Sequence, residues 1–224
     1  MKISNLQIEV SKFKMDIPEL ILDKGYKHAF VGPNGSGKSM LAKASMKIIP
    51  NESVDLEGFK ETDIMLVPQR PYLLHDNVMN NILYPLKIRK REVNEEELRN
   101  LLDIFNLSDK INQYARSLSS GEQQKVSLIR SLLCHPAYLI IDEALSNLDS
   151  ESVRAFEEII KNDNNTTWIL ISHQLTQVLN ICDKVHFIDK GKLVESGNTK
   201  DVLLYSKNEV IQNYMNNQII RVRE

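Results

Sequence analysis

Residues 31–40 read VGPNGSGKSM, and this stretch decides the fold. Gly32, Gly35 and Gly37 fall within six positions, with Lys38 and Ser39 directly after them. Glycine weakens an ordinary strand or helix, so three together mark a loop that needs unusual backbone angles or close approach of a ligand. The apolar run HAFV (28–31) precedes the loop and the helical pattern SMLAKASMKII (39–49) follows it. Strand, G-x-x-x-x-G-K-[ST], helix is an arrangement that cradles phosphate. Gly32, Pro33, Asn34, Gly35, Ser36 and Gly37 form the cradle and the helix N-terminus adds its dipole. Lys38 reaches the terminal phosphates and Ser39 offers a hydroxyl to Mg²⁺. The loop predicts binding of a nucleoside triphosphate with Mg²⁺, and leaves open which P-loop protein carries it.

Four more apolar runs lie outward from the loop: DIMLV (63–67), YLIID (138–142), TWILIS (167–172) and KVHFID (184–189). Runs of this length separated by helical patterns predict central strands of a partly parallel sheet covered by helices, so the class is α/β. In NEEELRNLLDIF (94–105), Leu98, Leu101, Leu102 and Phe105 share one helical face, and Asn94 and Glu97 are spaced as an N-cap and its N3 acid. Residues 70–117 show helical patterns and no strong strand, which predicts a helical lobe inserted into one domain spanning 1–224.

A second acidic site is YLIIDEALSNLD (138–149), where an apolar strand ends in two carboxylates. Asp142 is placed to hold Mg²⁺ through water, and Glu143 to polarise the attacking water as a general base. The strand TWILIS runs out at His173. A histidine there is usually a satisfied polar residue, but at the same sheet edge it can sense the γ-phosphate by hydrogen bonding.

The remaining composition excludes several classes. With 224 residues, 42% of them hydrophobic and 26% charged, the chain can bury a sizeable core. A net charge of -2 and a pI near 6.2 give no basic field for nucleic acid, and KIRKRE (87–92) reads as a solvated helix end. Cys134 and Cys182 lack metal-ligand spacing and read as buried, reduced thiols of a cytosolic protein. MKISNLQIEV lacks the apolar core of a signal peptide, and no window approaches the roughly 20 apolar residues of a membrane span. Any membrane role is therefore expected to be borrowed from a partner.

Between the two halves lies ARSLSSGEQQKVSLIRSLL (115–133). Ser119 followed three residues later by Glu122 is a capping box, and Val126, Ile129 and Leu133 form a buried helical face. At this point the sequence resembles the nucleotide-binding domain of ABC transporters over nearly the whole chain. The motifs come in family order: GPNGSGKS as Walker A, LVPQ with Gln69 as the Q-loop, LSSGE as the signature, LIIDE as Walker B, SNLD (146–149) as the D-loop and His173 as the switch histidine. The resemblance implies a P-loop core with a mixed sheet, an antiparallel β lobe, here trimmed because Ile48 to Asp63 is short, and an inserted helical lobe.

It also implies a homodimer, or a pair with a similar cassette, that closes on ATP. Ser119 and Gly121 of one copy would complete the site built by Walker A of the other, with Asp149 as a cross-dimer contact. Gln69 would touch magnesium and water and report to an integral membrane permease, which would hold the protein on the inner face of the cell membrane. Importers of small ions and a metal-export subgroup share the texture of residues 70–92. Departures from the family pattern are Ser120 and Glu122 within the signature, Met40 after Ser39, and Val10 where an aromatic residue normally stacks on adenine. Phe13 is the nearest substitute, with core packing as its alternative role. Among other classes, a soluble single-cassette ATPase of iron-sulfur assembly fits the size. A P-loop GTPase or kinase leaves LSSGE and SNLD unexplained. The tail after Gly197 is expected to pack as a helix on the cassette.

Overall fold

The computed structural model describes residues 1–221. The chain opens with an antiparallel hairpin, β1 (Lys2–Val10) and β2 (Phe13–Ile21), paired from Lys2↔Ile21 to Val10↔Phe13 with a break at Asn5 and Pro18. Then follow β3 (Lys27–Val31), α1 (Lys38–Ser45), a two-residue β4 (Val54–Asp55) and β5 (Ile64–Val67). Helices α2 (Val78–Ile88), α3 (Glu95–Ile104) and α4 (Ser120–Leu132) come next. The second half runs β6 (Tyr138–Asp142), α5 (Ser150–Asn162), β7 (Thr167–Ile171), α6 (Leu175–Ile181), β8 (Lys184–Asp189), β9 (Lys192–Asn198), α7 (Thr199–Tyr205) and α8 (Glu209–Arg221).

The nine strands among the described residues join one mixed sheet in the order β4-β1-β2-β9-β8-β3-β7-β6-β5. The parallel block β8-β3-β7-β6-β5 sets the C-terminal ends of β3, β7, β6 and β5 side by side. Such an edge is where open α/β sheets bind ligands. The strand period of two sorts side chains to opposite faces. Leu139, Ile141, Trp168 and Leu170 enter the core beneath the helices of the second half and of 70–133. Tyr138, Ile140, Ile169 and Ile171 face α1 and the β1–β2 hairpin. The antiparallel lobe is small, since β4 contributes only Val54 and Asp55.

Two local expectations need correction. Asn94 does cap α3, accepting from the Glu96 and Glu97 N–H groups at 3.2 Å. Glu97 does not close the box, because its Oε2 lies 2.9 Å from His135 Nε2, which draws the carboxylate away from the cap. The tail is two helices, and Asn198 still belongs to β9; the chain turns at Ser206, whose hydroxyl accepts the Asn208 N–H at 3.0 Å and ends α7 before α8 begins. Residues 222–224 of that tail lie outside the described residues.

Beneath the sheet, His28 and His186 are buried and 2.9 Å apart, Nδ1 to Nε2. His28 Nε2 sits 3.0 Å from the Asp23 carbonyl and His186 Nδ1 2.8 Å from the Ser196 hydroxyl. One proton per ring satisfies this chain: His28 donates to Asp23, His186 to His28, and Ser196 to His186. A second proton on either ring would put a positive charge on a buried group, which desolvation opposes. Burial holds both rings below the ordinary histidine value, His186 down to about 3. The unfolded chain therefore binds these protons first as pH falls, so the stability present above about pH 6.5 is lost progressively toward pH 3. The expected loss is on the order of a few kcal/mol. Calorimetry between pH 7 and 4 should give a flatter melting-temperature profile for His186→Gln than for the parent; equal slopes would remove the pair as the cause.

Candidate active site

The glycine loop leaves β3 at Gly32, whose φ is 148°. A Cβ there would lie 1.9 Å from the Ile188 carbonyl oxygen, so no larger residue fits between the loop and β8. Gly37, at φ 107°, caps α1, and a Cβ there would press on Phe13 and Met15 at 2.8 Å. Phe13 thus stands against the loop and lines the same cleft of about 460 Å³ as Asn34, Gly35, Gly37, Lys38, Ser39, Met40, Glu143 and His173. Val10 is exposed and lies outside that lining.

Lys38 is buried, and its ammonium donates to the carbonyls of Gly32 and Pro33, both at 2.8 Å. Burial lowers its pKa, and the charges of Glu143 and Asp142 oppose that shift. An ammonium held only by carbonyls gains from an anion brought into its reach. Ser36 Oγ, also buried, has no partner among the described residues. An unpaired hydroxyl, a lysine without its anion and the N-terminus of α1 fit a polyphosphate.

Ser39 Oγ donates to Asp142 Oδ1 at 3.0 Å, joining the loop to the end of β6. Burial raises the Asp142 carboxyl, and the Ser39 bond opposes it. A hydroxyl and a carboxylate oxygen in contact are the hard donors that Mg²⁺ takes in triphosphate sites. Glu143 adopts φ 51°, a region uncommon for a residue with a side chain. Its N–H bonds the Ile171 carbonyl at 2.9 Å and its carbonyl accepts from Ser146 Oγ at 2.9 Å, which fixes the turn. Gln69 Nε2 donates to Glu143 Oε2 at 3.1 Å, and His173 Nε2 lies 2.5 Å from Oε1. Both carboxylate oxygens are held by residues that follow two neighbouring strands of β6.

The structure brings Gly32 to Ser39, Gln69, Asp142, Glu143 and His173 to one sheet edge. Ser119, Gly121 and Asp149 form a second group. Ser119 N-caps α4 with the expected reciprocal box, and a Cβ on Gly121 would lie 2.8 Å from the Asn147 carbonyl oxygen. Asp149 N-caps α5 through Ser152 and pairs with Lys125 Nζ at 2.7 Å. Lys125, followed by the Ser152 amide, holds the Asp149 carboxyl well below the usual carboxylate range. Among the described residues no hydrogen bond or ion pair joins Ser119 or Gly121 to the glycine loop. Sequence reasoning missed Lys125 and Lys110, the latter paired with Glu122.

A phosphate loop, a hydrogen-bonded Ser39–Asp142 pair and a carboxylate at the end of the next strand but one define a P-loop nucleotide-binding protein. The model of the ABC transporter family matches residues 16–146, and the chain belongs to that family as an ABC ATP-binding protein. It is 32% identical over 220 residues to methionine import ATP-binding protein MetN 1 of Bacillus thuringiensis subsp. konkukian (strain 97-27), covering 89% of this chain and 65% of that one. It is 32% identical over a 244-residue alignment to methionine import ATP-binding protein MetN of Francisella tularensis subsp. tularensis (strain SCHU S4 / Schu 4), covering 97% and 69%. The chain thus spans about two thirds of the length of these relatives. Among solved structures, an ATP-binding subunit of an ABC transporter superimposes with a TM-score of 0.81 at 20% identity, covering 100% of this chain and 99% of that one. A bacterial Atm1-family ABC exporter with ATP bound gives 0.80 at 21% identity, covering 96% and 41%. Both carry the same fold.

Proposed function

We propose that the chain is the ATP-hydrolysing subunit of an importer, that two copies close on ATP, and that closure drives a separate membrane permease. The observation that carries this reading is the Glu143 carboxylate, held at both oxygens by Gln69 and His173 beside Lys38 and the Ser39–Asp142 pair. Mg²⁺·ATP supplies the γ-phosphoryl group for transfer to water. Lys38 turns from the Gly32 and Pro33 carbonyls to the terminal phosphates, and Ser39 and Asp142 would hold the metal, which would neutralise phosphate charge. Glu143 accepts the proton of the attacking water as its oxygen bonds to the γ-phosphorus and the bond to the bridging oxygen breaks, leaving ADP. Gln69 and His173 orient that carboxylate, and His173 is placed to reach the γ-phosphate.

Ser119 and Gly121 complete the site of the other copy, which accounts for a cleft beside Lys38 that receives nothing from α4. Residues 70–117 form a helical lobe of the single domain, and Gln69 at its root connects the site to a permease. No helix among the described residues is long and apolar enough to cross a membrane. Phe13, leaning on Gly37 at the rim of the same cleft, is the aromatic side chain we assign to stack on the base. Methionine, the cargo in the relatives' names, is the first solute to test.

The deciding experiment is affinity purification of the tagged Glu143→Gln protein with ATP from gently solubilised cells of its source. A multi-span membrane protein in the eluate is the expected result, and its binding protein can then be screened with methionine. A soluble iron-sulfur assembly partner in its place would overturn the transport reading.

A further inference from the structure

The N-terminus of α4 already holds an anion of its own. The Ser119 N–H and Oγ–H both donate to Glu122 Oε2 at 2.8 Å, and the Glu122 N–H donates to Ser119 Oγ at 3.3 Å. Lys110, closing a short 3₁₀ turn (Ser108–Lys110), grips the other oxygen, Oε1. The two paired side chains are only 28% and 24% exposed. Lys110 first, then the Ser119 donors, pull the Glu122 carboxyl down to about 2, so it is charged at any pH near neutrality. A capping glutamate needs only the backbone amide of the N-cap residue. This one also takes the serine hydroxyl proton, the donor that the composite-site reading assigns to the γ-phosphate of the other copy.

We propose that Glu122 is an internal competitor for the γ-phosphate at Ser119, and that Lys110 is the counter-charge that keeps the displaced carboxylate when the phosphate takes its place. The inference rests on the composite-site reading and deepens it: these two residues set the ATP concentration at which two copies close. One Oγ–H cannot serve both anions, and two negative groups at one helix end repel. Lys110 stays within reach of Oε1 while Oε2 leaves Ser119, so exchange of anions does not strand a charge. Gln123 keeps the helix start in place meanwhile, donating to the Leu118 carbonyl at 2.9 Å.

The test follows dimer formation by light scattering against ATP concentration, with Mg²⁺, in Glu143→Gln protein that also carries Glu122→Gln, Lys110→Ala or both. Glutamine still satisfies a capping box, so the fold is kept, and thermal melting monitors this. Glu122→Gln is expected to dimerise at roughly tenfold less ATP, because a neutral amide competes weakly for the hydroxyl and repels no phosphate. Lys110→Ala is expected to need more ATP, and the double variant to behave like Glu122→Gln. Lys110→Gln replaces Lys110→Ala should the alanine protein melt early. A helix cap and surface ion pair alone would shift both single variants the same way; that outcome, or no gain for Glu122→Gln, overturns the proposal. If none of the proteins dimerises with ATP, the composite-site reading falls and this inference with it.

Discussion

The Glu143→Gln protein is expected to bind Mg²⁺·ATP, to accumulate as a closed dimer, and to hydrolyse ATP on the order of 10²- to 10⁴-fold more slowly than the parent. Glutamine has the same shape and keeps an oxygen for Gln69, which donates to the carboxylate at 3.1 Å in the parent. The turn is untouched, because its bonds to Ile171 and Ser146 are made by the Glu143 backbone. Lys38, Ser39 and Asp142 are separate residues, so phosphate and metal binding persist. What disappears is a proton acceptor. Phosphate release measures the rate and light scattering the dimer; near-normal turnover would remove Glu143 as the base and point to another group.

Mixing two inactive proteins should restore activity. Ser119→Arg fills the space before α4 with a bulky cation and removes the hydroxyl, and Lys38→Ala removes the ammonium from the glycine loop. Each homodimer carries two spoiled sites. In a heterodimer, one site has both defects and the other has an intact loop facing an intact α4. Since half of an equimolar statistical mixture is heterodimer, turnover per chain should rise from background to roughly a quarter of the parent's at equal ratio, if the sites act independently. Absence of hydrolysis at every ratio would place Ser119 in a role other than completing the partner's site.

The parallel strands were legible as short continuous apolar runs, although DIMLV, expected to be central, forms β5 at the edge of the sheet with Met65 and Leu66 half-buried. HAFV, DIMLV, YLIID, TWILIS and KVHFID all became strands within a residue of their apolar ends. The strands without such runs were silent. β9, KLVESGN, lies at intermediate or full exposure along its length, and β1 mixes Lys2, Ser4 and Glu9 with its buried Ile3, Leu6 and Ile8. Neighbouring residues gave the glycine loop and the Asp142–Glu143 pair. The clamp on Glu143 was not legible as geometry, because Gln69 and His173 stand 74 and 30 positions away and only the strand order brings them together. The motif resemblance pointed to both. Lys125 and Lys110 had no such pointer: their partners are chosen by how α4 lies against its surroundings, which no local pattern encodes.

Lys125 and Gly121 tie α4 to residues 146–149 at two points, one an ion pair and the other a backbone contact too close for a side chain. That segment begins three residues after Glu143. In each copy of a closed pair, the part lent to the neighbour's nucleotide would therefore be braced against the part that works on its own. A displacement at one nucleotide would reach the other through a strut a few residues long, so the two sites would be geared to turn over in relation to each other, without a signal crossing the whole domain.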